Sequence, residues 1–107
     1  MDKRIQGIRD EIVRRVRTVA DPDRIILFGS AATGQMTRDS DVDLMVLLGS
    51  SANTRNDSVR ISDALRRMGF AFDVFVMNTE RFESEKDVIG GLAYPANKQG
   101  EVVYARF

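Results

Sequence analysis

Three short, almost entirely apolar segments constrain the fold of this chain more than any other feature. They are Arg24–Phe28, Val42–Leu48 and Phe70–Met77, and a glycine borders each of them. Runs of this length that are rich in β-branched and aromatic residues predict β-strands. Because the first two lack a regular alternation of polar and apolar residues, we expect a sheet that is covered on both sides.

A helical pattern precedes the first strand. Its apolar residues recur every three to four positions, which places them on one stripe of an amphipathic helix: Ile5, Ile8, Ile12, Val16 and Val19. Pro22 disfavours a helical conformation in the residue before it, so the helix is expected to end by Ala20.

A second helix is predicted after the loop Gly49–Asn56. We expect Asn56 or Asp57 to cap its N-terminus and Gly69 to cap its C-terminus. Its apolar positions include Val59, Ile61, Leu65 and Met68.

The end of the chain is predicted to hold shorter elements. A helix is expected to start near Thr79, a broken helix to cover Ile89–Asn97, and a terminal edge strand to form over Val102–Tyr104. Strands and helices therefore alternate in an α/β (α+β) pattern. At 107 residues the chain is expected to form one domain, residues 1–107.

Composition excludes several kinds of site. The chain contains no Cys and no His, which excludes disulfides, zinc sites built on thiolate or imidazole, and Ser/His or Cys/His nucleophile pairs. Sixteen Lys and Arg balance sixteen Asp and Glu, so direct nucleic-acid binding is not supported. No segment resembles a signal peptide or a membrane span, and we expect a cytoplasmic protein.

Basic residues are concentrated in the first helix. We interpret them as a solvated helix face, with a contact surface for an acidic partner as the alternative. They are Lys3, Arg4, Arg9, Arg14, Arg15 and Arg17.

Carboxylates at the entrance of the second strand carry the predicted chemistry. Asp41 and Asp43 are two residues apart, so both project from one side if the strand extends back to Asp41. Asp73 is the only charged residue in the third apolar segment. Closely placed carboxylates repel unless a cation shares them, and their hard oxygen ligands suit Mg²⁺ or Mn²⁺.

A glycine and a serine follow the first strand directly. Gly29 and Ser30 form a turn whose amides and hydroxyl could hold a phosphate. Taken alone, the dipeptide is more typical of an ordinary turn, and the Asp-x-Asp pair alone is more typical of a surface turn. Their combination is what favours a site.

The pattern as a whole resembles the signature of the polymerase-β-like nucleotidyltransferases. It consists of Gly29 and Ser30, ten intervening residues, and then Asp41 and Asp43. The segment FGSAATGQMTRDSDVDLMVL resembles the corresponding segment of the minimal nucleotidyltransferases. The C-terminal residues around Tyr94-Pro95 and Glu101–Arg106 resemble the C-terminal part of the same proteins. The resemblance implies a small mixed β-sheet flanked by helices.

The resemblance also implies a mechanism. Two Mg²⁺ or Mn²⁺ ions would be held by Asp41, Asp43 and Asp73 as catalytic and metal-binding residues, with ATP as the substrate. Nucleotide binding would fall to Gly29, Ser30, Gly34 and Ser40. Relatives of this size are antitoxins that transfer AMP to a tyrosine of a cognate HEPN-domain ribonuclease toxin.

Thr33 departs from the family pattern, because many relatives have Arg at this position. Arg38, Lys98 or a partner could supply the missing positive contact to the triphosphate. Two other functions remain open at this stage: an antitoxin that neutralises its partner by contact alone, and a nucleotidyltransferase that modifies a small molecule such as an antibiotic.

Overall fold

The computed structural model describes residues 1–106, and Phe107, the last residue of the predicted domain, lies outside this range. The described part contains five helices and four strands. In chain order they are α1 (Lys3–Val19), β1 (Arg24–Phe28), α2 (Ser30–Thr33), β2 (Val42–Leu48), α3 (Thr54–Ala64), β3 (Phe72–Asn78), α4 (Thr79–Glu85), α5 (Ala93–Gln99) and β4 (Glu101–Ala105).

The strands form one mixed sheet in the order β3-β2-β1-β4. β1 runs antiparallel to both β2 and β4, whereas β2 and β3 are parallel and are joined by α3. The predicted fold class, a small mixed sheet flanked by helices, is confirmed. No helix within residues 1–106 combines the length and the apolarity that crossing a membrane requires.

Helices cover both faces of the sheet, because alternate residues of the central strands point to opposite sides. One face packs against α1 and α3, and its buried residues include Ile5, Ile12, Val16, Leu27, Leu44, Val46 and Ile61. The other face packs against α4 and α5, and its buried residues include Ile26, Phe28, Met45, Leu47, Met77, Phe82 and Ala96. The central strands β1 and β2 are therefore buried on both sides, as expected.

The first helix lies where the sequence pattern predicts it. Asp2 caps its N-terminus by accepting a hydrogen bond from the amide of Arg4, and Ala20 caps its C-terminus. Within the predicted stripe, Ile5, Ile12 and Val16 are fully buried.

The predicted boundaries of the second helix are wrong. α3 begins at Thr54, because the side chain of Asn53 accepts a hydrogen bond from the amide of Asn56 and caps the helix earlier than expected. The helix ends at Ala64 with Leu65 as its cap. Gly69 instead lies in the following turn with φ +86°, and β3 starts at Phe72.

The C-terminal elements differ from the prediction in one respect. α5 is a continuous helix that contains Pro95, because a proline in the first turn replaces an amide that has no partner within the helix. The predicted edge strand is present as β4. β3 is the other edge of the sheet, and most of its apolar side chains are consequently half-buried.

Candidate active site

A tight turn at the end of β1 forms one wall of the candidate site. Gly29 adopts φ +68° and ψ −150°, a conformation that residues other than glycine rarely adopt. A β-carbon added at this residue would collide with the carboxylate of Asp43. Glycine is therefore required here for two reasons, its backbone conformation and the close approach of Asp43.

The residues after Gly29 form the short helix α2, which the sequence analysis did not predict. The amides of Ala32 and Thr33 both donate to the carbonyl of Gly29. Within residues 1–106, the hydroxyl of Ser30 and the amides of Ser30 and Ala31 have no hydrogen-bond partner. The turn therefore presents donors that an anionic group could use.

The structure brings Asp73 next to Asp43. The two residues are directly paired in the parallel register of β2 and β3. Side chains of directly paired residues lie on the same face of a sheet. Phe75 and Met77, which follow Asp73 at intervals of two, belong to the face covered by α4 and α5, so both carboxylates point to that face.

Asp41 lies just outside β2, since the strand begins at Val42. Its side chain is exposed, as is that of Asp73, whereas Asp43 is partly buried. Burial raises the pKa of the Asp43 carboxyl above its ordinary value, and the negative charges of Asp73 and then Asp41 raise it further. The negative charges of Asp73 and Asp41 therefore both oppose the ionisation of Asp43.

None of these three carboxylates forms an ion pair or a side-chain hydrogen bond with another residue in the range 1–106. Nor does this range contain three acidic side chains close enough together to hold one metal ion. Mg²⁺ commonly uses one or two carboxylates and completes its shell with water and substrate phosphates. The adjacent pair of Asp43 and Asp73 fits that requirement, because both lack a cationic partner and carry the oxygen ligands that Mg²⁺ prefers.

The connection from α2 to β2 closes the site on its other side. Ser40 uses its hydroxyl locally, since it accepts a hydrogen bond from the amide of Thr37 at 2.9 Å and lies 3.0 Å from the hydroxyl of that residue. Gly34 ends α2 with φ +78°, and the space around it is open. These two residues shape the loop that leads to Asp41.

A comparison with protein families identifies the fold. The model of the nucleotidyltransferase domain matches residues 5–93, which include the Gly29 turn and all three carboxylates. The chain belongs to the nucleotidyltransferase domain family. No curated protein matches this nucleotidyltransferase domain significantly.

Solved structures share the fold of this nucleotidyltransferase domain at low sequence identity. A toxin–antitoxin structure with AMP-PNP superposes with a TM-score of 0.66 and 19% identity, covering 91% of this chain and 73% of its own. The Shewanella oneidensis structure of a tri-AMPylated HEPN toxin with its MNT antitoxin gives 0.61 and 16%, covering 94% and 71%. A mutant of the MntA-HpeT toxin–antitoxin gives 0.67 and 17%, covering 91% and 73%.

Two cationic side chains of this chain could replace the arginine that many relatives have in the place of Thr33. Lys98 is held by an ion pair with Asp87 at 3.2 Å. Arg38 lies in the exposed loop before Asp41 and forms no ion pair within residues 1–106 of the nucleotidyltransferase domain. Arg38 is therefore the less restrained of the two.

An aromatic contact below the carboxylates was not predicted. Phe28 is paired with Asp43 in the β1–β2 register, and its ring packs against that of Phe75 at 5.7 Å between centroids. Phe75 follows Asp73 by two residues on the same face. The alternating side-chain directions along β1 and β3 could have indicated this contact between the two rings. They do so only once both strands are known to be neighbours of β2.

A cavity of about 510 Å³ lies at the opposite end of the sheet from the carboxylates. Three of its charged residues already have partners, since Arg106 contacts Asp21 and Asp23 accepts a hydrogen bond from Thr79. It begins where β1 starts, whereas the turn at Gly29 follows the end of that strand. The chemistry-bearing residues of the nucleotidyltransferase domain thus lie outside this cavity.

Proposed function

We propose that this chain transfers AMP from ATP to a tyrosine hydroxyl of a cognate HEPN-domain ribonuclease toxin, and so acts as a cytoplasmic antitoxin. The observation that carries the proposal is the pairing of Asp43 with Asp73 on one face of the sheet, beside the Gly29 turn. This pairing assembles acidic and anion-binding groups at one end of a nucleotidyltransferase domain that spans residues 1–107.

Asp41, Asp43 and Asp73 are the proposed ligands of two Mg²⁺ or Mn²⁺ ions. When bound, the ions would neutralise charge on the triphosphate and on the transferred phosphoryl group. A cation at Asp43 would also offset the burial and the repulsion from Asp73 and Asp41 that together raise the pKa of its carboxyl.

The turn and its loop are proposed to bind the nucleotide. The hydroxyl of Ser30 and the amides of Ser30 and Ala31 would donate hydrogen bonds to the β- and γ-phosphates. Gly29 keeps this wall close to Asp43. Gly34 and Ser40 would act indirectly, because they hold the loop that follows α2.

The proposed transfer is a single displacement at phosphorus. The tyrosine oxygen forms a bond to the α-phosphorus of ATP, the bond between that phosphorus and the bridging oxygen breaks, and pyrophosphate leaves. Asp73 is the proposed acceptor of the hydroxyl proton, because it is exposed and adjacent to Asp43.

The exposure of two carboxylates supports a protein as the acceptor. The side chains of Asp41 and Asp73 are exposed, so a macromolecule can reach them. The structurally similar MNT antitoxin from Shewanella oneidensis, whose HEPN toxin is tri-AMPylated, supports the same interpretation.

The proposal is tested with the purified chain, ATP, Mg²⁺ and the proposed cognate HEPN-domain protein. Intact-mass spectrometry is expected to show the addition of AMP to a tyrosine of the HEPN protein. The Asp41→Asn/Asp43→Asn variant should lose this activity, whereas Asp39→Asn, a neighbouring exposed carboxylate, should retain it.

Unchanged modification by the double variant would rule out the proposed site. If the double variant still protects cells from the toxin, neutralisation operates by contact alone. Nucleotidylation of a purified aminoglycoside in the absence of the HEPN protein would instead identify a small-molecule transferase.

A further inference from the structure

The basic residues of α1 serve two different purposes in the structure. Arg15 donates to the carbonyl of Arg66 at 2.7 Å and to that of Ala64 at 3.4 Å, so it fastens α1 to the end of α3. Arg4 is paired with Asp2 and lies over the ring of Phe70. These two arginines stabilise the fold.

Another set of arginines lies on the side of α1 that faces β4. Arg9 donates to the carbonyl of Val102 at 3.4 Å, and the guanidinium of Arg17 lies 4.7 Å from the centroid of the Tyr104 ring. Arg14 is 65% exposed and pairs only with Glu11, which it shares with Arg15. One carboxylate shared by two guanidinium groups leaves this side of the helix positively charged.

Two of these arginines, Arg14 and Arg17, border a groove of about 420 Å³ between α1 and β4. Arg14 and Arg17 lie on its helical wall, together with Asp10 and Thr18, and its apolar surface comes from Val13 and Val103. The groove therefore combines an excess of positive charge with an apolar floor. We call it the α1–β4 groove.

The other wall of the groove is an open strand edge. β4 is an edge strand of the sheet and, within residues 1–106, pairs only with β1. Its register shifts between Tyr104 and Val102, so Val103 has no partner residue on β1. Val102 is 47% exposed, although it is a large apolar residue. An unpaired edge that displays apolar side chains can accept a further extended segment.

We propose that the α1–β4 groove docks an extended, acidic segment of the protein acceptor. Its carboxylates would meet Arg14 and Arg17, its alternate apolar side chains would pack on Val13 and Val103, and its backbone would add to the edge of β4. This inference rests on the proposed function for the identity of the acceptor and assigns the surface that holds it.

Charge and shape favour a protein over a nucleic acid. The chain has no net charge, so it lacks the excess of positive charge that nonspecific binding of a polyanion requires. The ring of Tyr104 is already covered by Arg17, so it is not open for stacking on a base. The apolar floor suits alternate side chains of a peptide instead.

The docking surface is tested by measuring the Kd for the proposed cognate HEPN-domain protein. All variants carry Asp41→Asn/Asp43→Asn, so binding is measured without transfer. Adding Arg14→Glu/Arg17→Glu should weaken binding about tenfold and abolish most of its salt dependence. The charge-matched control Arg66→Glu/Arg81→Glu, at two exposed arginines outside the groove, should change the Kd less than about twofold.

A folding defect is distinguished by Arg14→Lys/Arg17→Lys, which keeps the charge and should retain most of the affinity. Equal weakening by the groove variant and the control, or parental affinity of the groove variant, would overturn the inference. So would a fluorescent single-stranded RNA that binds the parent and is released by Arg14→Glu/Arg17→Glu while the affinity for the HEPN protein is unchanged.

Failure of the proposed function gives a different result. Without Asp41→Asn/Asp43→Asn, the Arg14→Glu/Arg17→Glu variant should still add AMP at a saturating concentration of the HEPN protein. Absence of AMP transfer by the parent would reject the proposed reaction. Charge-dependent binding of the HEPN protein would still support the α1–β4 groove as the docking surface.

Discussion

At the scale of single residues, the close approach of Gly29 to Asp43 restrains the candidate site. Gly29→Ala would combine an unfavourable φ with a collision against a partly buried carboxylate. We expect it to destabilise the protein by about 2–4 kcal/mol and to abolish AMP transfer. Urea unfolding and the intact-mass assay measure the two effects.

Gly34→Ala provides the matched control. Gly34 also has a positive φ, but no atom outside the adjoining residues lies within 4 Å of the added β-carbon. Gly34→Ala should therefore lower the free energy of unfolding only through backbone strain, by about 1–2 kcal/mol. Equal losses in the two variants would show that the collision with Asp43 contributes nothing.

The raised pKa of Asp43 has a consequence for stability. Its folded pKa lies above the ordinary value of 3.8, so the folded state binds this proton more tightly than the unfolded state. The contribution of Asp43 to stability is therefore present at low pH and is lost as pH rises from about 4 through the folded pKa. Burial is the first cause, followed by Asp73 and Asp41.

Asp43→Asn should thus be more stable than the parent at pH 7 in EDTA, and the difference should shrink toward pH 4. Adding Mg²⁺ should stabilise the parent and reduce the gap. Thermal unfolding from pH 4 to pH 7 measures this. A less stable Asn variant at neutral pH without metal would contradict the assigned direction.

Residue spacing predicted Asp41 and Asp43 together, and the family resemblance added Asp73, but neither showed how the three residues meet. The side of the sheet to which Asp73 points depends on the register of β3 against β2, and that register is set by long-range pairing. The contact of Asp43 with Gly29 likewise joins residues on different strands. Neither the pairing of Asp43 with Asp73 nor the contact of Asp43 with Gly29 can be predicted from the local sequence pattern.

At the scale of elements, α1 is fastened to the end of α3 by Arg15. Arg15→Ala should lower the free energy of unfolding by about 1–2 kcal/mol, because two carbonyls lose a charged donor. Arg14→Ala, which breaks only an exposed pair with Glu11, should cost less than about 0.5 kcal/mol. Urea titrations of both variants make the comparison, and similar losses would show that Arg15 is only a surface charge.

Apolar periodicity predicted the long elements well and the short ones poorly. α1 follows its stripe of isoleucines and valines, whereas α2 is only four residues long and has too few positions for a helical period. The predicted start of α3 is wrong because several residues before Val59 can cap a helix. In the structure, Asn53 is the residue that caps it.

At the scale of the whole molecule, nucleotide and metal are expected to stabilise the fold together. Mg²⁺ and ATP at about 100 times their Kd should add about 2.7 kcal/mol to the free energy of unfolding. EDTA should remove the effect, and Asp41→Asn/Asp43→Asn should not show it. Thermal unfolding with and without Mg²⁺-ATP measures the shift, and an equal shift in the double variant would place the nucleotide elsewhere.

The order of the strands was beyond prediction from the sequence. Apolar runs identify β1, β2 and β3 as strands, but they do not show that β4 pairs with β1 or that β2 and β3 are parallel. This topology decides which strands are edges. It therefore decides that β3 and β4, rather than β1 and β2, present open backbone to a partner.

The pairing of Asp43 with Asp73 also links activity to the completion of folding. The two residues are thirty positions apart, and α3 must cross the sheet before β3 can dock beside β2. A nascent chain that has exposed only β1 and β2 holds Gly29, Asp41 and Asp43 but not the full constellation. Catalytic competence would thus appear late during synthesis. A partly folded chain would lack the complete set of carboxylates, so it could neither modify a partner nor hold the ion at a complete site.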